Sequence, residues 1–275
     1  MTGWGQSAVL GVVQGLTEFL PISSSAHLRV VATLLGWSDP GAAFTAVTQL
    51  GTEAAVLGYF RSDIRAIVSI WFVSLGRPAL RRDPAARLGW YVILGTIPIA
   101  ALGLLLQSAI ESTFRDLRLI ALTLIAFGLL LGAADAVGDG RRTMEHLTLR
   151  HALTIGLAQC LALVPGVSRS GGTISAALFL GYSRTAAARY AFLLAIPAVL
   201  ASGLLELTKI GGADSPAWGP TALATVISFV VGYAVIAWLL RYLAHGSFKP
   251  FVVYRVGLGL LLLVLVTIGA VPASP

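Results

Sequence analysis

The stretch "GVVQGLTEFLPISSSAHLRVVATLLGWS" (residues 11–38) has a second copy in the chain, "GLAQCLALVPGVSRSGGTISAALFLGYS" (residues 156–183). The copies align without a gap and share nine identities over 28 positions. Proline, glycine and serine interrupt the apolar run at the centre of each copy, so neither half is long enough to cross a bilayer as one helix. The pattern predicts two helix–loop–helix hairpins, over 4–36 and 150–182, that enter the membrane from one side and return to it.

The composition indicates an integral membrane protein. Of 275 residues, 57% are hydrophobic and 11% are charged, and the mean hydropathy is +0.86. Six further apolar runs each approach the ~20 residues that span a bilayer as a helix: 43–60, 88–110, 117–137, 186–207, 219–240 and 251–271. The most polar stretch, 61–87, is interpreted as a loop, and the N-terminus lacks a cleavable signal pattern. The single cysteine, Cys160, excludes an internal disulfide.

These segments predict an all-α polytopic membrane protein formed by one domain, 1–275, with two related halves. The first half, 1–137, contains one hairpin and three crossings, and the second, 150–271, repeats that order. Because three crossings reverse the direction of the chain, the second half is expected to be inverted relative to the first. Inverted repeats with broken helices place the ligand site where the broken elements meet, near the middle of the membrane.

The net charge of +7 follows the predicted topology and does not indicate a nucleic-acid site. Fourteen of the 19 cations fall in segments that the crossings place on one side, which the positive-inside rule makes cytoplasmic. They are Arg61, Arg65, Arg77, Arg81, Arg82, Arg87, Arg141, Arg142, Arg150, Arg184, Arg189, Arg241, Lys249 and Arg255. Arg29 and Arg169 lie in the hairpins instead, where charged residues usually mark function.

The two hairpins differ in the chemistry of their central segments. Arg169 lies in "PGVSRSGGT" at the start of a predicted helix, where a guanidinium and free backbone N–H groups together suit phosphate oxygens. We therefore predict a phosphate site at Arg169, with Ser168, Ser170 and Thr173 as further ligands. In the alternative interpretation Arg169 only neutralises Glu18, and the serines only cap helices.

The first hairpin provides groups for acid–base or nucleophilic chemistry. Ser23 and Ser24 follow Pro21, and at least one of them is expected to cap the next helix. His27 lies one turn after Ser24 and can act on it as a general acid or base. We therefore predict catalytic roles for Glu18, Ser24 and His27 with Arg169, and phosphate binding by Ser23. In the alternative interpretation, His27 is only a polar residue that fills space and has no catalytic role.

Two pairs of oxygen-bearing residues recur at a spacing of four, which places each pair on one helix face. Gln14 and Glu18 offer ligands that Mg²⁺ or Ca²⁺ prefers, although Glu18 can instead pair with Arg169. Gln49 and Glu53 repeat the spacing in the first predicted crossing. We expect Glu53 to face the same cavity as a supporting residue, or to be protonated.

With these motifs assembled, the chain resembles the bacterial undecaprenyl-diphosphatase family, also known for bacitracin resistance. "QGLTEFLPISSSAH" and "PGVSRSGGTIS" match the two family signatures, and the similarity extends over nearly the whole chain. The resemblance implies active residues at Gln14, Glu18, Ser23, Ser24, His27, Ser168, Arg169, Ser170 and Thr173. Gln14 stands where many members have Glu, so a metal site with two carboxylates does not carry over.

The resemblance further implies hydrolysis of undecaprenyl diphosphate to undecaprenyl phosphate and inorganic phosphate. This reaction recycles the lipid that carries cell-wall precursors. The active site is expected to open to the outer, periplasmic face of the bacterial inner membrane, with a divalent cation supporting activity. Membrane lipid is then the other partner, and a homodimer is compatible with the sequence.

Two questions stay open at the level of sequence. Inverted repeats with broken helices are typical of transporters, so a polyprenyl-phosphate carrier or flippase is the alternative function. Within the enzymatic interpretation, either Ser24 attacks the phosphate or water attacks while Ser24 positions the substrate.

Overall fold

A computed structural model describes residues 3–106, 116–207 and 217–273, and in these ranges the chain is helical, without β-strands. These ranges contain eleven α-helices and three 3₁₀ turns. The helices are α1 Trp4–Thr17, α2 Ser24–Leu34, α3 Gly41–Tyr59, α4 Arg61–Gly76, α5 Pro84–Leu105, α6 Leu117–Val137, α7 Leu149–Gln159, α8 Arg169–Phe179, α9 Arg184–Leu207, α10 Trp218–Leu243 and α11 Lys249–Thr267.

Five of the helices in the described ranges are long and apolar enough to cross a membrane, so the protein is a multi-pass membrane protein. They are α5, α6, α9, α10 and α11, with 19 to 26 residues each. They correspond to five of the six predicted crossings, although residues 107–110 of the predicted crossing 88–110 lie outside the described residues. Large apolar side chains such as Leu104, Val137 and Val264 are exposed on their surfaces, as lipid contact requires.

The remaining predicted crossing, 43–60, forms α3, which has 19 residues but is not among the five apolar spans. Its sequence is less apolar because Gln49 and Glu53 interrupt it, together with several threonines. Thr48, Thr52 and Glu53 are buried, and α3 packs against α9 and α10. The helix therefore directs polar groups towards other helices, and length and composition alone do not identify it as a crossing.

Both predicted hairpins are broken at their centres. Residues 18–23 separate α1 from α2, and residues 160–168 separate α7 from α8. These four helices have only 11 to 14 residues, which is too short to span ~30 Å of hydrocarbon. The two central segments are called the first loop (18–23) and the second loop (160–168) below.

The two loops share an unusual backbone conformation at matching positions of the repeat. Ser23 has φ 74° and Ser168 has φ 71°, and no other non-glycine residue in the described ranges has a positive φ. Sparsely populated conformations of this kind cost on the order of 1–3 kcal/mol, so their occurrence at both serines reflects the same turn in both copies. Gly36 and Gly181 also match in the repeat, and both have positive φ.

The prediction that 61–87 is a loop is wrong, because residues 61–76 form α4 and residues 78–82 form a 3₁₀ turn. Ile64 and Ile67 pack against the main hydrophobic core. Trp71 lies against Gly89 of α5, where an added Cβ would come within 2.9 Å of the indole. The apolar residues recur every three or four positions, which is helical periodicity that the flanking arginines obscured.

Close helix contacts occur at a second matched pair of glycines. A Cβ on Gly156 of α7 would lie 2.2 Å from the carbonyl oxygen of Gly95 in α5. A Cβ on Gly11 of α1 would lie 2.6 Å from the carbonyl oxygen of Ala224 in α10. The first helix of each hairpin is thus held directly against the backbone of a membrane-spanning helix.

We predict that Gly156→Ala lowers the free energy of unfolding by about 1–3 kcal/mol, since overpacking of a close contact has this effect. Gly58→Ala in α3 is the control, because its Cβ would make only an ordinary contact, 3.7 Å from Tyr233. Thermal unfolding in detergent provides the measurement. Equal melting temperatures for the two variants would contradict the close contact.

Candidate active site

The two loops meet, and Glu18 of the first lies at their junction. Its Oε1 accepts a hydrogen bond from the guanidinium of Arg169, the first residue of α8. Its Oε2 accepts from the Ser24 hydroxyl at 2.6 Å and from the Gln14 side-chain amide at 2.7 Å. One carboxylate therefore binds groups from α1, α2 and α8 at once. Three donors hold it in a single orientation.

Serine side chains connect the loops further. The N–H of Gly166 in the second loop donates to Ser23 Oγ at 3.2 Å. In the other direction, Ser170 Oγ donates to the carbonyl oxygen of Leu20 at 3.2 Å. Ser168 Oγ accepts from the Gly171 N–H at 3.1 Å and so caps α8. Ser23, Ser168 and Ser170 are all buried.

His27 is hydrogen-bonded to groups other than Ser24. Its Nδ1 lies 2.7 Å from the carbonyl oxygen of Ser23, and its Nε2 lies 2.7 Å from the hydroxyl of Tyr254. Because a carbonyl oxygen only accepts, Nδ1 carries the proton, and in the neutral ring Nε2 accepts from Tyr254. His27 therefore supports the first loop, whereas the Ser24 hydroxyl is bound to Glu18.

The other predicted site residues take different positions around this centre. Thr173 is fully buried, and its hydroxyl donates to the Arg169 carbonyl oxygen at 2.8 Å within α8. Glu53 lies across a small pocket from Glu18 and Arg169, and its Oε1 has no hydrogen-bond partner among the described residues. Gln49 lines a larger cavity.

That larger cavity has a volume of about 420 Å³ and combines a polar base with apolar walls. Its polar lining includes Glu18, Ser23, Ser24, Ser168 and Arg169 at the junction of the loops, together with other polar residues such as Arg29 and Glu206. The apolar walls include Leu28, Ile99, Leu104, Ile120, Leu163 and Leu205. Leu104 and Leu205 stand near the C-terminal ends of α5 and α9, so the cavity extends from the junction of the loops towards those ends. Its volume is within the usual range for small-ligand sites.

The prediction that Arg255 belongs to a cytoplasmic loop is wrong. Arg255 lies inside α11, is fully buried, and donates hydrogen bonds to carbonyl oxygens of both loops. Neither Arg255 nor the adjacent Tyr254 was identified as a site residue. Only the presence of a cation and a phenol within the apolar run 251–271 marks them in the sequence.

The fold and the site define a class of protein: a multi-pass helical membrane protein whose two broken helical hairpins bring a carboxylate, a hydroxyl and a guanidinium to the base of an amphiphilic cavity. Residues 7–261 match the family described as bacitracin resistance protein BacA. The chain belongs to this family.

Several relatives are similar along their entire lengths. Undecaprenyl-diphosphatase 2 of Frankia casuarinae is 62% identical, with 96% of this chain and 95% of the relative covered. Undecaprenyl-diphosphatase of Renibacterium salmoninarum is 58% identical, with 98% and 99% covered. Undecaprenyl-diphosphatase of Nocardioides sp. is 57% identical, with 99% and 100% covered.

We predict that Tyr254→Phe lowers the free energy of unfolding by about 1 kcal/mol or more, because His27 Nε2 then loses its partner in a buried site. The control is Tyr233→Phe, whose hydroxyl makes no hydrogen bond with the described residues and whose loss should change stability by less than about 0.5 kcal/mol. Both values come from thermal unfolding in detergent. A Tyr254→Phe melting temperature as high as that of the control would exclude a stabilising contact with His27.

Proposed function

We propose that the protein hydrolyses undecaprenyl diphosphate to undecaprenyl phosphate and inorganic phosphate. The reaction recycles the lipid carrier of cell-wall synthesis and gives resistance to bacitracin. The observation that carries the proposal is the contact of Ser24 and Arg169 with one carboxylate, Glu18, at the base of the cavity. Ser24, which either attacks the phosphate or positions it, thus lies close to Arg169, which can bind the phosphate. The names of the relatives agree with this activity.

The cavity suits a ligand with a charged head and an apolar tail. Arg169 presents a planar fork that can bind two phosphate oxygens, and the free N–H groups at the start of α8 add to its positive field. Ser23 and Ser168 line the same region. The apolar walls can cover the first units of a polyprenyl chain, whereas the remainder of so long a tail must extend into the bilayer.

In the covalent route, the Ser24 oxygen attacks the terminal phosphorus of the diphosphate while Glu18 accepts the hydroxyl proton. The bond to the bridging oxygen breaks, undecaprenyl phosphate leaves, and water later hydrolyses the phosphoserine. In the alternative route, water attacks directly, Glu18 accepts its proton, and Ser24 only holds the phosphate. The 2.6 Å bond from Ser24 to Glu18 is suited to both routes.

Arg169 has a second role in either route. It is paired with Glu18 in the structure described here, and an arriving phosphate competes for its guanidinium. When Arg169 shifts to the phosphate, the Glu18 carboxylate is free to accept the proton of Ser24 or water. Arg169 also stabilises charge on the phosphoryl oxygens during transfer, where most catalysis of this reaction arises.

A divalent cation, Mg²⁺ or Ca²⁺, is a further part of the proposal. Within the described ranges there is no group of three or more His, Cys, Asp and Glu residues that could hold a metal. Gln14 Oε1, however, is a buried oxygen without a hydrogen-bond partner beside Glu18. These two residues fit a cation that also binds diphosphate oxygens, as Mg²⁺ does at many phosphate sites. When bound, the cation would supply further neutralisation of phosphate charge.

We also infer the arrangement in the membrane. Six crossings, with α3 as the sixth, and two hairpins in an inverted repeat place the ends of α5 and α9 on the side opposite the arginine-rich segments. The cavity extends towards those ends, so it would open to the outer face of the bacterial inner membrane. Labelling of introduced cysteines with an impermeant reagent in intact cells tests this orientation.

Release of inorganic phosphate from undecaprenyl diphosphate in detergent is the direct test of function. A micelle holds no transmembrane gradient, so a protein that only carries or flips the lipid would release nothing. Turnover by the purified protein therefore separates the enzyme from the transporter. Absence of release with a folded protein, at any divalent-cation concentration, would overturn the proposal.

We predict that Arg169→Lys folds normally and hydrolyses the substrate at least about tenfold more slowly, a loss of ~1.4 kcal/mol in transition-state binding. Lysine keeps the charge that pairs with Glu18 but lacks the planar fork. Arg169→Ala should lose catalysis and remain folded with a lower melting temperature, because Glu18 then keeps only its neutral donors Gln14 and Ser24. The measurements are phosphate release and thermal stability in detergent. Normal turnover by the lysine form, or an alanine form that fails to fold, would restrict Arg169 to a structural role.

We predict that Ser24→Ala lowers kcat at least about a hundredfold, the usual range for a lost proton-transfer or nucleophilic group. Ser25→Ala is the matched control, since Ser25 also lines the cavity but contacts Ser23 and not Glu18. Rapid quenching with labelled substrate distinguishes the routes, because only attack by Ser24 yields a labelled phosphoprotein. Full activity of Ser24→Ala would exclude both roles of this hydroxyl.

A further inference from the structure

Arg255 is a charged residue at 0% exposure within the membrane-spanning helix α11. A charge at such a depth costs about 2.5 kcal/mol or more unless other groups stabilise it. Its described hydrogen-bond partners are all backbone carbonyl oxygens: Pro21 at 2.9 Å, Gly166 at 2.7 Å, Val167 at 3.0 Å and Leu124 at 3.2 Å. The guanidinium is thus bound by peptide dipoles.

Three of these four carbonyls belong to the loops that form the site. Pro21 lies in the first loop, three residues after Glu18, while Gly166 and Val167 lie in the second loop, just before Ser168 and Arg169. The fourth, Leu124, belongs to α6 and accepts from Arg255 Nε. The Arg255 side chain therefore connects the loop that contains Glu18 with the loop that precedes Arg169. A rigid fork with several donors can bind in this way, whereas the point charge of an ammonium cannot.

The neighbouring helices leave space for this side chain. A Cβ at Gly171, in the first turn of α8, would lie 2.8 Å from Arg255 Nη1. A Cβ at Gly128 of α6 would lie 3.1 Å from Arg255 Cβ. A larger residue at either position would displace the arginine or the helix beside it. Both glycines thus allow the guanidinium to reach the loops.

The carbonyls bound by Arg255 flank the two serines that have positive φ. Val167 directly precedes Ser168, and Pro21 stands two residues before Ser23. In a trans peptide unit the N–H points away from the C=O, so holding the Val167 carbonyl also sets the direction of the Ser168 N–H at the start of α8. Residues held in such conformations persist only when their surroundings over-determine them.

We propose that Arg255 is a positioning residue of the active site, which fixes the first and second loops relative to each other without touching the substrate. The inference builds on the proposed phosphatase function and adds a cation to it that neither motif contains. Arg255 keeps Arg169 and Ser24 at the spacing that transfer of one phosphoryl group requires. Its loss should therefore slow turnover more than it weakens substrate binding.

The test compares Arg255→Lys with Arg184→Ala. Arg184 pairs with Asp135, and neither residue belongs to the loops, so Arg184→Ala controls for the removal of a partly buried ion pair outside the site. We expect Arg255→Lys to lower kcat at least about tenfold with KM changed by less than about threefold. We expect Arg184→Ala to lower the melting temperature while kcat per folded molecule stays near that of the unaltered protein.

A second measurement does not depend on activity. Cys160, the only cysteine of the chain, begins the second loop and is partly exposed. If Arg255 holds this loop, maleimide labelling of Cys160 in detergent should be at least about threefold faster in Arg255→Lys and unchanged in Arg184→Ala. This result is interpretable even if the unaltered protein releases no phosphate, which would overturn only the proposed function.

Chemical rescue completes the test. Arg255→Ala leaves a space beside the loop carbonyls that methylguanidinium can enter, so millimolar methylguanidinium should recover part of its kcat and slow the labelling of Cys160. If Arg255→Ala does not fold, the results for Arg255→Lys alone decide whether Arg255 positions the loops. A lysine variant with unchanged kcat and unchanged labelling would overturn the proposal, as would a loss of kcat that matches the loss of folded protein.

Discussion

The binding of the Glu18 carboxylate by residues from three helices is the interaction on which the rest of the structure depends. It binds Gln14 of α1, Ser24 of α2 and Arg169 of α8, so the two hairpins cannot separate without leaving a buried charge unpaired. Breaking such a pair typically costs 3–5 kcal/mol. Each hairpin is interrupted next to this carboxylate, so residues at both breaks can reach it.

The two copies of the repeat are more alike in backbone conformation than in the chemistry of their side chains. Ser23 and Ser168 share a positive φ, and Gly11 and Gly156 both lie against the backbone of another helix. At the functional positions the copies differ, since Ser24 matches Arg169 in the alignment. The result is an asymmetric site, with a base and a hydroxyl on one side and an anion receptor on the other. Phosphoryl transfer requires such a division, because the attacking group and the charge-stabilising group act on different atoms.

Much of this arrangement could be predicted from local sequence. Proline, glycine and serine clusters locate both helix breaks, and the alignment of the copies places Glu18 and Arg169 at matching interruptions of the two hairpins. The prediction was less accurate where polar residues occur in regular helices. Arginines flanking α4 obscured its apolar face, and Gln49 and the buried Glu53 make α3 less apolar than the five apolar spans.

The amino-acid sequence by itself determined where the helices break, which chemical groups the breaks contain, and that the protein is embedded in a membrane. The tertiary structure decided which of those groups touch. Ser24 binds Glu18, whereas His27 binds Ser23 and Tyr254. It also decided the role of Arg255, which lies 234 residues from Pro21 in the chain. The physical reason is that the partners of Arg255 are backbone carbonyls, which every residue possesses. No pattern of side chains in the sequence therefore predicts this contact.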